Sequence, residues 1–346
     1  MTVGSTGSGK SITAFDIAEG ALLEKIPVLV LDPTGQWTGF LEKCDDKGLL
    51  AKYNEFGMKE PRAFDGRIFT PASDIGTPLE MNLLAKPATN DNSALQRYAI
   101  DVATIIKDFC RLTNEEEVNL KAKILETWKK GKDLDYKSVV DLADKDVTKK
   151  RLQDLEAASF LFEGKGTKIS DTWKKGEISI ISFTEIKSEK VEMFTAYYFL
   201  REVVNYFDSQ NDSPKELKLL LVVEEAHRFT ESNVWNMLDR AVKTMRKKGV
   251  GMLLVTQGLT DLEKIRGNTR MKIYMQILYD QDRDRAAQDI GREYAEMLDS
   301  LKPGTGIISY ADFEIPVLAR FRPCLHRNSG LTSEEIRKKM HGKKAT

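Results

Sequence analysis

The chain has 346 residues, 41% of them hydrophobic and 31% charged, which suffices for a buried core and is too apolar for a disordered chain. Its 53 basic and 53 acidic residues cancel, which argues against indiscriminate coating of nucleic acid and leaves room for a local basic surface. The three cysteines (Cys44, Cys110, Cys324) lie far apart and form no CxxC pair, which excludes a disulfide scaffold and a zinc ribbon. Cys324 and His326 are too few to hold a metal and read as packing residues. No apolar run approaches the roughly 18 residues needed to span a bilayer, and no signal peptide is visible, so the expected location is cytoplasmic.

The first element is a loop. Gly4-Ser5-Thr6-Gly7-Ser8-Gly9-Lys10-Ser11 fits the pattern G-x-x-x-x-G-K-[ST] of a phosphate-binding loop. Its glycines let successive N–H groups turn toward phosphate oxygens. Lys10 is expected to reach the β- and γ-phosphates and Ser11 to offer its hydroxyl to Mg²⁺. Residues 12–24 continue as a helix whose N-terminus, from Ile12, favours anions. ATP and Mg²⁺ are therefore the expected cofactors. Only Met1-Thr2-Val3 precede the loop, where a buried mid-sheet strand is expected. Residues upstream of Met1 are the expectation that follows.

An interrupted α/β pattern comes next. Ile26 to Leu31 reads as a strand ending in Asp32-Pro33-Thr34-Gly35-Gln36-Trp37, where Asp32 and Gln36 lie either near a ligand or in a plain turn. Arg67 to Phe69 reads as a short strand. From residue 92 the period becomes helical, with Leu95, Tyr98, Ala99, Val102, Ile105, Ile106 and Phe109 on one face. Glu115–Lys130, Lys137–Leu142 and Val147–Phe162 are further expected helices. This stretch is rich in lysine (Lys121, Lys129, Lys137 and Lys149 among others), which reads as a solvated face, with a DNA-facing surface as the alternative. Strand signals return at Ile178 to Phe183, before a long helix at about Glu189 to Phe207. The expected organisation is a core in two parts, 1–85 and 173–322, a helical insertion at 86–172 and a tail at 323–346.

Lys218 to His227 reads KLLLVVEEAH. Five consecutive apolar residues suit a strand buried on both faces. Of the two carboxylates at its end, Glu224 would support Mg²⁺ through water and Glu225 would act as general base on the attacking water. His227 either couples the site to a neighbour or caps a helix. Val250 to Gln257 is another buried strand, and Gln257 at its carboxyl end would sense the γ-phosphate. Just before it, Arg246 is either a cation at a helix end or an arginine finger reaching a neighbouring subunit. Lys272 to Leu278, Ile307 to Tyr310 and Val317 to Phe321 are expected as strands, the last two as an antiparallel extension. Asp282–Ile290, Tyr294–Leu301 and Ser333–Met340 are expected helices. The tail from Pro323 would pack on a neighbouring subunit or, in a monomer, fray.

GSTGSGKS, LDPTGQW, LLLVVEEAH, RKKGVGMLLVTQ and Asn268-Thr269-Arg270, in this order, resemble the HerA/FtsK superfamily of P-loop motor ATPases. The resemblance is greatest to its HerA-like branch, which also holds conjugation and type IV secretion ATPases. It covers most of residues 1–322. It implies a RecA-like core with a mostly parallel sheet, a homo-hexameric ring and ATP bound between subunits. It also implies that Arg246 is the finger acting in trans, with Arg270 a second candidate. The implied function is a helicase or translocase on double-stranded DNA, with a nuclease or secretion system as possible partner. Two other readings stay open: an ATPase moving protein or a DNA–protein complex, and an assembly module with slow hydrolysis. The chain departs from the resemblance at Gln36, where Glu is frequent; the β-barrel that HerA proteins carry before the loop is not among these residues, which agrees with the expectation of residues upstream of Met1.

Overall fold

The computed structural model describes the chain except Glu80, Ala88, Asn90, Glu163, residues 165–167, 211–213, 230–231 and 343–346, and the side chains of 232–235, 261 and 264. In chain order, β1 (Thr2–Val3) runs through the phosphate loop into α1 (Lys10–Leu23). There follow β2 (Val28–Asp32), a 3-10 segment (Gln36–Leu41), α2 (Lys47–Leu50) and β3 (Gly66–Phe69). Four helices come next: α3 (Asn92–Cys110), α4 (Asn114–Lys129), α5 (Tyr136–Asp141) and α6 (Asp146–Leu152). The core resumes with β4 (Ile178–Ser182), α7 (Glu189–Ser209), β5 (Leu219–Val223), α8 (Ser232–Thr244) and β6 (Val250–Thr256). It closes with α9 (Glu263–Arg266), β7 (Met271–Tyr274), α10 (Asp280–Ile290), α11 (Arg292–Glu296), β8 (Thr305–Tyr310), β9 (Val317–Arg320) and α12 (Ser333–His341).

The strands form one nine-stranded sheet in the order β3-β4-β2-β5-β6-β1-β7-β8-β9. It is parallel from β3 to β7; β8 and β9 add the expected antiparallel extension. The mid-sheet place of β1 is held by Thr2 and Val3, paired with Val255 and Thr256 on one side and Ile273 and Tyr274 on the other. The apolar runs are continuous because both faces are covered. Leu29, Leu31, Leu219, Leu221 and Val223 join a core that includes α3, α7 and α8. Val28, Val30, Leu220, Val222 and Val255 join a second one, with Ala14, Phe15 and Ala18 of α1, Trp37, Phe40 and Cys324.

Three expectations need correction. Residues 147–162 are not one helix: α6 ends at Leu152, and a 3-10 segment (Gln153–Leu161) follows, broken at Ala158 (φ −119°, ψ 22°). Leu152, Leu155, Ala158 and Leu161 are all buried, and this spacing of three suits the three-residue turn of a 3-10 helix. The strand expected to Leu278 stops at Tyr274, because the chain then passes beside the phosphate loop, where Gln276 O accepts Ser5 N–H at 2.8 Å.

The tail neither frays nor waits for a neighbour. Through Gly342, the last described residue, it docks on its own core. Glu19 of α1 is wholly buried and accepts from Arg322 Nη1 (2.6 Å), Leu325 N (2.6 Å), His326 N (3.2 Å) and His326 Nδ1 (2.6 Å). The His326 ring stacks on Phe40 at 3.6 Å. Gly39 is a true close approach, since a Cβ there would lie 2.2 Å from Arg327 O. Burial lowers the His326 pKa, against the opposing pull of Glu19.

Candidate active site

Four strand ends converge at the carboxyl edge of the sheet, where open α/β folds hold ligands. The loop leaves β1 with Gly7 and Gly9 in the left-handed region (φ 81° and 94°). At Gly9 a Cβ would also lie 2.8 Å from Gly304 N, so the turn that leads into β8 packs against the loop, and Gly304 N donates to Ser8 O at 3.0 Å. Gly4 is equally confined, its would-be Cβ 2.6 Å from Met275 Cβ and from Ser8 Oγ. Ser5 N and Ser8 N bond to Gln276 O and Ser5 O. By contrast, the N–H groups of Gly7, Gly9, Lys10 and Ser11 have no acceptor among the described residues, and Ser8 Oγ is buried without a partner. Ile12 follows in the first turn of α1. Thr6 stands exposed at the loop tip.

Lys10 is 6% exposed, and its Nζ lies 3.9 Å from Glu225 Oε1. Glu225 carries a positive φ of 49°, a rare conformation for a residue with a Cβ. It turns the chain out of β5 and holds the carboxylate among three other groups. Gln257 Nε2 donates to Glu225 Oε1 and Oε2 at 3.0 and 3.1 Å, and His227 Nδ1 is 3.1 Å from Oε2. Thr6 Oγ1 in turn donates to Gln257 Oε1 at 3.3 Å. Gln257 thus bridges the loop tip to the second carboxylate.

Glu224 is buried (1% exposed) and accepts from Trp37 Nε1 at 2.8 Å. Burial is the main reason its pKa is pushed up to about 8; the Asp32 and Glu225 carboxylates add to the rise, while Trp37 and Lys10 oppose it. Asp32 is wholly buried and accepts from Thr34 N, Thr34 Oγ1, Gly35 N and Trp37 N at 2.8–3.0 Å. It organises the turn that seats Trp37, and burial raises its pKa to about 6. Gln36 is exposed on that turn.

The structure therefore brings together Lys10, Glu224, Glu225 and Gln257 with the loop. It does not bring Arg246 or Arg270 to them. Arg246 sits just before β6, at the opposite end of the strand from Gln257, exposed and without a side-chain partner among the described residues. Arg270 precedes β7 at the same far edge, paired with Asp312 and 5.6 Å over the Tyr310 ring. Sequence reasoning missed the roles of Trp37 and Thr6, whose partners lie 187 and 251 residues away.

Free N–H groups, a buried lysine and a buried acid whose pKa burial and neighbouring carboxylates raise fit a nucleotide's phosphates and a divalent cation. With the mostly parallel sheet, they define a P-loop nucleoside triphosphatase. The chain belongs to the family described as Helicase HerA, central domain, which it matches over residues 2–203. Among solved structures it is similar to VirB4 of Thermoanaerobacter pseudethanolicus, with a TM-score of 0.68 and 16% identity over 92% of this chain and 88% of that one. The unbound bacterial conjugative coupling protein TrwBdeltaN70 gives 0.66 and 13%, over 97% and 87%. The plasmid coupling protein TrwB in complex with ADP and Mg²⁺ gives 0.64 and 14%, over 94% and 86%. At these identities the likeness is one of fold. Among curated proteins none matches. No helix among the described residues is long and apolar enough to cross a membrane.

Proposed function

We propose that this chain is the ATP-hydrolysing subunit of a ring motor that moves double-stranded DNA. The observation that carries the reading is the convergence of Lys10, Glu224, Glu225 and Gln257 on one sheet edge in a HerA-family chain. In this reading the N–H groups of Gly7, Gly9, Lys10 and Ser11 bind phosphate oxygens, and Lys10 turns from Glu225 toward the β- and γ-phosphates. Mg²⁺, when bound, neutralises charge on those oxygens. Ser11 and, through water, Glu224 hold it. Glu225, released by Lys10, takes the proton of the attacking water, and Gln257 links Glu225 to the loop tip. Arg246 is the finger offered to the next subunit of the ring, and Arg270 the alternative. Its exposure and distance from its own loop favour a role in trans, and a finger contributes 10³–10⁵ in rate.

The core in two parts around a helical insertion (86–172) belongs to the same proposal, as does a tail that closes over α1. A cargo of protein, or of DNA with bound protein, is the second reading, favoured by the fold shared with VirB4 and TrwB. ATP turnover with and without long linear duplex DNA, on a sample of known mass in solution, separates the two. Strong stimulation is expected of a DNA motor; hydrolysis indifferent to DNA in an assembled ring would overturn that cargo.

A further inference from the structure

The buried acid Glu224 has one side-chain donor among the described residues, the indole N–H of Trp37 at 2.8 Å on Oε2. An indole is a donor only, so this contact can serve nothing but an acceptor. The ring has no freedom to leave. It is fully buried, set edge-on to Phe15 of α1 at 4.8 Å and stacked on Phe40 at 5.3 Å with an interplanar angle of 6°. Its backbone N–H is tied to Asp32 Oδ2 at 3.0 Å. Phe40 is itself held by Phe15, Phe64 and, at 3.6 Å, the stacked His326 ring of the tail. Two buried acids are thus committed to one turn: Asp32 shapes it, and Glu224 receives what it presents.

We propose that Trp37 is a positioning residue for the cation of the nucleotide site: its N–H anchors Oε2 of Glu224 and leaves Oε1 to accept from the water shell of Mg²⁺. This rests on the nucleotide reading of the site. The tail takes part at one remove, since His326 backs the Phe40 ring on which Trp37 lies. Partners of this kind, which orient a group that holds a metal, typically cost 10–100-fold in metal affinity or activity when removed.

The test is Trp37→Phe, which keeps an aromatic ring in the stack and deletes the N–H. Binding of a fluorescent ADP analogue is titrated with Mg²⁺ and, separately, measured in excess EDTA. The expected result is unchanged affinity in EDTA and a Mg²⁺ midpoint raised about 10–100-fold. On a Glu224→Ala background the same substitution should add nothing. A midpoint unmoved in Trp37→Phe, or an equal shift without Glu224, overturns the proposal. Failure of the wild-type chain to bind the analogue in either condition overturns the nucleotide reading, and this inference with it. Should Trp37→Phe not fold, 5-fluorotryptophan spectra of the wild type and Glu224→Gln decide instead. One of the four tryptophan signals should move with the substitution and again when Mg²⁺ is added to the nucleotide-bound wild type. Four unmoved signals overturn the assignment.

Discussion

Replacing Glu19 by Ala tests whether the tail is a structural part of the core. The carboxylate accepts four hydrogen bonds at zero exposure, from Arg322, the N–H groups of Leu325 and His326, and the His326 ring. Arg322 keeps Asp16 at 2.7 Å and reaches solvent, so its loss is partly made good. The two His326 donors are left buried and unpaired, at about 1–3 kcal/mol each, and the half-buried Leu325 N–H loses its acceptor as well. Relaxation of the strap trims that sum, and about 3–5 kcal/mol is the range for breaking a buried pair from one side. Domains hold only about 5–15 kcal/mol in all, so the loss is large. Equilibrium urea unfolding followed by circular dichroism reads it, and limited proteolysis should find new cleavage between residues 321 and 342. A loss under about 1 kcal/mol, with the tail still protected, would refute the reasoning.

The remaining predictions concern charge and assembly. His326 is buried with its pKa lowered, so in the folded chain it binds fewer protons than in the unfolded one below pH 6.5. Stability should therefore fall as pH drops below about 6.5, by at most about 1.4 kcal/mol per pH unit from this group. In His326→Gln that part of the slope should vanish; an unchanged profile between pH 7 and 5 counts against it. For the trans finger, Arg246→Ala and Lys10→Ala rings should each hydrolyse little ATP, and mixed rings should regain turnover. Stable mixed rings without rescue would remove Arg246 from that role.

Much of the fold was legible because its signals are local. Five apolar residues in Leu219–Val223 announce a strand covered on both faces, and the loop pattern places its glycines by itself. The carboxyl-edge location of Glu224, Glu225 and Gln257 follows from the strands that end in them. What stayed hidden depends on contacts distant in sequence. Asp32 looked equally like a ligand neighbour or a turn residue; it is a turn residue whose turn serves Glu224 through Trp37. Nothing in the composition of residues 323–342 tells that Glu19 holds them, because a buried carboxylate in α1 reads as one more helical acid. The strained φ of Glu225 leaves no trace in a residue type that rarely adopts it.

Glu225→Gln tests the central claim most directly. The substitution keeps the side chain's length and its hydrogen-bonding reach while removing the base. The account predicts that the variant binds ATP with Mg²⁺ as the wild type does and retains it unhydrolysed, with turnover lost in the assembled protein. Turnover at the wild-type rate would contradict the assignment of Glu225 and the mechanism built on it.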